Sequence, residues 1–219
     1  MISPFIIKIK IKSKAMQDKN TEIEAICSEF KSGYEVHSDN EPHVTIFGSA
    51  RLKEQSPDYQ LAREVAKLLS QKGVPVMTGG GPGIMEAGNC GAKQGKGVSL
   101  ASSILLPHEQ LENEYIDKTS RHQYFMPRKW FLLNNARGFV GAPGGFGTAD
   151  EIFEVLCLIQ TEKAKRVPLV LLGTSFWEPA IQWMKASMLP MGLIAESDLD
   201  LFIITDDAEE AVRYLMGDS

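Results

Sequence analysis

The sequence predicts an α/β fold: a Rossmann-like, doubly wound parallel sheet with helices on both faces, in a single domain. Three observations carry the prediction. Short apolar runs alternate with helical patterns from about residue 39 to residue 216. Glycine-containing turns at 48–51, 78–83 and 143–148 each follow such a run, so that each reads as strand, loop, helix. The chain has 219 residues, 43% hydrophobic and 23% charged, enough for one sizeable core, with no internal repeat or low-complexity linker to mark a second.

The elements follow in order. Residues 1–20 read as a flexible N-terminal extension ahead of a domain at 21–219, with one outer helix over 18–34. His43–Phe47 is β-branched and aromatic, a strand ending at Gly48. Ser56 and Pro57 start a helix in which Leu61, Ala62, Val65, Ala66, Leu68 and Leu69 recur at helical spacing, and Gly73 closes it. A strand at 74–77, a small-residue helix at 84–93 and a strand at 98–101 come next, and 103–120 is polar and irregular. A helix is expected from Pro127 to about residue 135, a strand at 139–142 and a helix from the third glycine loop to about 161. The series closes with a strand at 168–172, a helix near 175–188, a strand at 201–204 and a helix from about 206.

Composition excludes several function classes. Lys plus Arg is 23 against 28 Asp plus Glu, a net charge of −5, which speaks against a general nucleic-acid binder. The longest clean apolar run, at 167–172, is far short of the roughly 20 residues of a membrane span. Three cysteines without a CxxC spacing, read as buried thiols, argue against a disulfide framework or a zinc site and point to a reducing cytoplasm. The four histidines show no metal-ligand spacing and read as structural or exposed.

A glycine loop leading into a helix presents free backbone N–H groups and a positive dipole end, a combination that favours phosphate. Nucleotide motifs of the usual kinds do not fit. GxGxxG fails because Gly79-x-Gly81 is followed by Ile84, and Gly145-x-Gly147 by Asp150. A Walker A loop fails because Gly95-Lys96 has Cys90 at the leading position and Gly97 where Ser or Thr belongs.

The run 143–151 reads PGGFGTADE, and with Gly79-Gly80-Gly81-Pro82-Gly83-Ile84-Met85-Glu86 and the pair Arg128-Lys129 it resembles the Lonely Guy family. That family is often filed under the label lysine decarboxylase, and the resemblance spans roughly residues 40–215. It implies hydrolysis of the N-glycosidic bond of a nucleoside 5′-monophosphate, of the AMP or cytokinin riboside type, to free base and ribose 5-phosphate. It implies that Gly144, Gly145, Phe146, Gly147 and Thr148 hold the 5′-phosphate and that Arg128 and Glu151 are the catalytic pair. Lys129 then lies beside the site and Glu109 resembles an acid that contacts the ribose. Ser49, Gly80 and Gly81, on the other two glycine turns, and Met126, in the bulky segment before Arg128, complete the expected binding set. The resemblance implies a homodimer and no metal or organic cofactor. A pyridoxal-phosphate decarboxylase is not expected, because no lysine has a recognisable Schiff-base setting.

Other readings stand beside these. Thr148-x-x-Glu151 also has the form of a capping box, with Thr148 as N-cap and Glu151 bonding back to it. The helix after Glu151 carries Ile152, Phe153, Val155, Leu156, Leu158 and Ile159 on nearly every side, which suits either a core helix or a subunit interface. The same fold also suits a carrier that holds a nucleotide or phosphorylated cofactor without cleaving it.

Overall fold

The computed structural model describes residues 19–106 and 112–217. Seven parallel strands form one sheet: β1 (His43–Phe47), β2 (Val76–Thr78), β3 (Ser99–Ile104), β4 (Lys118–His122), β5 (Ala136–Gly141), β6 (Leu169–Leu172) and β7 (Phe202–Thr205). Their order is β4-β3-β2-β1-β5-β6-β7. The chain therefore steps outward from β1 to β4, returns over the sheet to β5, and steps outward the other way. The switch falls between β1 and β5, which opens a crevice beyond their carboxyl ends.

Strand alternation feeds two cores. Val44 and Ile46 of β1 pack with α2 (Pro57–Gln71), α3 (Ile84–Gln94) and α7 (Ala208–Met216) on one face. Phe47 points the other way, into a cluster with α4 (Phe125–Leu133), α5 (Phe146–Gln160) and α6 (Thr174–Trp183). Helix α1 (Lys19–His37) lies against β4 and α4. The Ser56 hydroxyl caps α2 by accepting from the Tyr59 N–H at 3.2 Å, as its position before Pro57 predicts.

Several expectations need correction. The stretch 103–120 is not wholly irregular: β3 continues to Ile104, and Lys118–His122 forms the edge strand β4. Its polar residues hid it, because Lys118, Thr119 and Arg121 face outward or are only partly covered. Helix α4 starts at Phe125 rather than at Pro127, with Tyr124 as its N-cap residue. Helix α5 starts at Phe146, so Gly145 is the N-cap and Thr148 the third helical residue. Thr148 therefore caps nothing, which removes the capping-box reading of Glu151. Of the cysteines only Cys90 is buried; Cys27 and Cys157 sit on outward faces of α1 and α5. Among the described residues no helix is long and apolar enough to cross a membrane. Most of the expected extension, 1–18, and Glu109 lie outside the described residues.

Candidate active site

The crevice at the switch point is built by three loops. The Ser49 N–H donates to the Pro143 carbonyl at 3.0 Å, and the Ser49 carbonyl accepts from the Ile84 N–H at 2.9 Å. Ser49 thereby staples the loops after β1, β2 and β5 through its backbone, while its hydroxyl accepts from the Arg51 N–H at 3.1 Å.

Arg128 and Glu151 meet here, from different helices. Arg128 sits one turn into α4 and Glu151 in the second turn of α5, and Arg128 Nη1 donates to Glu151 Oε1 at 3.0 Å. Each residue is only 8% exposed. Arg128 is held on its other sides as well. Its Nε donates to the Ser102 carbonyl at 3.2 Å, and the Ser102 hydroxyl donates to the Arg128 carbonyl at 3.1 Å. Nη2 lies against the first glycine of the second loop: a Cβ added at Gly79 would come within 2.5 Å of it. Two cations near a helix start are unfavourable alone, and here both are matched by α5. Lys129 Nζ pairs with Asp150 at 3.1 Å and with Glu154 at 2.7 Å.

Burial pushes the Glu151 carboxyl above the usual glutamate range, against the pull of the Arg128 charge and hydrogen bond; the neighbouring Asp150 adds to the rise. Burial disfavours the Lys129 ammonium, but its bonds to Glu154 and Asp150 prevail and hold its pKa above the usual lysine value. A carboxylate raised by burial, fixed beside a permanent cation, can steady positive charge on a reacting carbon and take a proton from water.

The third loop opens to solvent. Gly145, Phe146 and Gly147 are exposed, and Phe146 is 98% accessible. The first N–H groups of the 15-residue α5 lie at this open end, where helical geometry leaves them without intrahelical acceptors. Thr148 is buried under the loop: a Cβ added at Gly144 would lie 2.2 Å from its hydroxyl, so only glycine permits this packing. Met126 is 65% exposed, two residues before Arg128.

The structure thus brings Arg128, Glu151, Thr148 and the 144–147 loop to one crevice, with Lys129 at its α4–α5 seam. It does not open Gly80 and Gly81 to a ligand in the same way. Both are buried, and the Asn113 amide covers them, donating 3.1 Å bonds to each carbonyl. Ser102 and Gly79 are the parts that the sequence does not reveal, because a strand carbonyl and a single turn glycine carry no local signal of an arginine packed on them.

The family model described as "Possible lysine decarboxylase" matches residues 76–215, which include all of α4, the third glycine loop and α5. The chain belongs to the Lonely Guy family. Its relatives include the cytokinin riboside 5′-monophosphate phosphoribohydrolase LOG of Oryza sativa subsp. japonica, 29% identical over 174 residues, covering 77% of this chain and 69% of that protein. Another is the pyrimidine/purine nucleotide 5′-monophosphate nucleosidase of Escherichia coli strain K12, 28% identical over 199 residues, covering 82% of this chain but 41% of that protein. A solved structure of similar fold is the molybdenum cofactor carrier protein of Chlamydomonas reinhardtii, with a TM-score of 0.59 and 22% identity over 81% of this chain and 98% of that one. At that identity the likeness to the carrier shows the Lonely Guy fold alone.

Proposed function

We propose that this protein hydrolyses the N-glycosidic bond of a nucleoside 5′-monophosphate, releasing the free base and ribose 5-phosphate. The observation that carries the reading is the buried Arg128–Glu151 pair, closed at 3.0 Å beside an exposed glycine loop at the start of a long helix. The two family relatives named for this type of substrate support it.

In this reading the open N–H groups at 145–148 take the 5′-phosphate, where the helix dipole favours an anion. Phosphate binding fixes the ribose, so binding energy from a remote group serves to position the reacting carbon. As the bond from C1′ to the base nitrogen lengthens, positive charge builds on the sugar. The Glu151 carboxylate opposes that charge and orients a water molecule, whose oxygen bonds to C1′ while its proton passes to the carboxylate. The base leaves with the bond's electron pair and takes up a proton from solvent, while Glu151 returns the proton it took from water, so that the carboxylate is regenerated. The role of Arg128 is electrostatic: it holds Glu151 and offsets negative charge on the departing base. Met126 and Phe146, both exposed at the rim, are placed to meet the base or a second subunit. No metal or organic cofactor is needed for this step.

We infer a homodimer from the apolar groove beside the site. Its volume is about 1040 Å³, and Met126, Trp130, Leu133, Leu158 and Ile159 line it between α4 and α5. Ile152, Val155 and Ile159 belong to the core, whereas Phe153, Leu156 and Leu158 remain partly exposed on α5, which leaves them available to a second copy in the proposed dimer.

The second reading, a carrier of a phosphorylated cofactor, is compatible with the fold shared with the molybdenum cofactor carrier. The two readings separate by turnover. Incubation with AMP and with adenosine, followed by chromatography of adenine, tests the first: adenine from AMP and little from adenosine supports it. Stoichiometric retention of AMP without adenine supports the carrier.

A further inference from the structure

Helix α1 lies outside residues 76–215, yet it reaches Arg128 by two routes, both from Glu29. The first is the start of α4. Glu29 Oε1 accepts from the Gln123 N–H at 2.9 Å and Oε2 accepts from the Tyr124 N–H at 3.3 Å. Tyr124 is the N-cap residue of α4 and its own side chain makes no cap bond. A carboxylate from another helix therefore supplies the acceptors and the negative charge that this helix start lacks locally.

The second route runs through the sheet. Glu29 Oε2 stands 3.5 Å from His122 Nδ1, a packing contact without a hydrogen bond. His122 Nε2 is joined to the Ser120 hydroxyl at 2.8 Å, and that hydroxyl donates to Ser102 Oγ at 3.4 Å. Ser102 then grips Arg128 at both its carbonyl and its Nε. Ser102, Ser120, His122 and Arg128 are all buried, so water cannot replace these contacts freely. His37 of α1 also meets the Ser120 hydroxyl, at 3.0 Å.

We propose that Glu29 is a positioning residue for Arg128: it fixes the start of α4 and the buried His122–Ser120–Ser102 chain, and so sets where the guanidinium meets Glu151. The proposal rests on the reading of Arg128 and Glu151 as the reacting pair. The rest of the α1–α4 contact does not depend on Glu29. Trp130 Nε1 donates to the Tyr34 hydroxyl at 2.9 Å, and Phe30 and Tyr34 pack on Trp130 and Phe131. Glu29 variants should therefore keep the helix docked.

The test uses the full chain with Glu29→Ala, Glu29→Gln and Ser120→Ala, the last breaking the chain, and its bond to His37 of α1, while leaving Glu29 and its bonds to the start of α4 in place. Two readouts are taken: the Nε–H resonance of Arg128 by NMR, and kcat and KM for adenine release from AMP. Sub-ångström misplacement of a reacting group is costly, so Glu29→Ala should lower kcat about tenfold and leave KM within about twofold, because the phosphate loop is untouched. Glu29→Gln, which can still accept from one backbone N–H, should recover part of the loss. The Arg128 resonance should shift in all three variants. An unmoved resonance in Glu29→Gln and Ser120→Ala overturns the proposal, as does an unchanged kcat in both. If the parent releases no base from AMP, the catalytic reading fails, and the resonance alone decides whether Glu29 positions Arg128.

Discussion

At the scale of the residue, the site is a problem of burying charge. Removing one partner of a buried pair leaves the other uncompensated, at a typical cost of about 3–5 kcal/mol. The ion pair is thus poorly replaceable, and the raised pKa of Glu151 follows mainly from its burial. The consequence for pH is definite in sign. In the proposed reaction Glu151 works as the carboxylate, so base release should fall as pH drops through the Glu151 pKa. The midpoint of the acid limb of kcat/KM should lie above the ordinary glutamate range, and a limb at or below that range would contradict the assignment. The glycine loop makes a second residue-scale prediction. At Gly144 a Cβ would meet Thr148 at 2.2 Å, whereas at Gly147 it would enter open space. Gly144→Ala should raise KM for a nucleoside monophosphate by about tenfold or more and lower the thermal midpoint, while Gly147→Ala should melt like the parent.

At the scale of the element, legibility followed the source of the signal. Helix α2 was plain in the sequence because its cap, its proline and its apolar spacing are local. The third loop and Glu151 were legible because their residues are contiguous. Strand β4 was not, since a polar edge strand lacks alternation, and the start of α5 was misplaced because Thr148 has a capping residue's chemistry but packs under Gly144 instead. The grip of Ser102 on Arg128 could not be read at all: it joins residues 26 apart through the β3 backbone. The histidines near Phe131 add a stability consequence. Burial, with smaller charge effects, lowers the pKa of His37 to about 4, and burial with the neighbouring His37 does the same for His43. The unfolded chain takes up these protons near pH 6.5, before the folded one does, so stability should fall as pH drops from about 6.5 to about 4. Thermal melts of the parent at pH 7 and pH 5 should show the loss, and His43→Gln should flatten it.

At the scale of the whole molecule, the fold places three loops at one switch point and leaves an apolar groove of about 1040 Å³ on the adjoining face. Exposed apolar surface of this kind marks protein contacts, ligand grooves or membrane surfaces, and in the proposed homodimer a second copy covers it. Light scattering at micromolar concentration should return the mass of two chains of 24.2 kDa each, and Leu158→Glu should shift it to one; a stable monomeric parent would contradict the dimer. The chemistry itself is most directly tested by chromatography of free base. The purified protein is incubated with AMP, GMP, CMP, UMP and isopentenyladenosine monophosphate, with the matching nucleosides and Glu151→Gln as controls. Hydrolysis assisted by Glu151 should give base from at least one monophosphate, little from its nucleoside, and a loss of about a hundredfold or more in the variant with its fold intact. No base from any monophosphate, or undiminished release by Glu151→Gln, would contradict it.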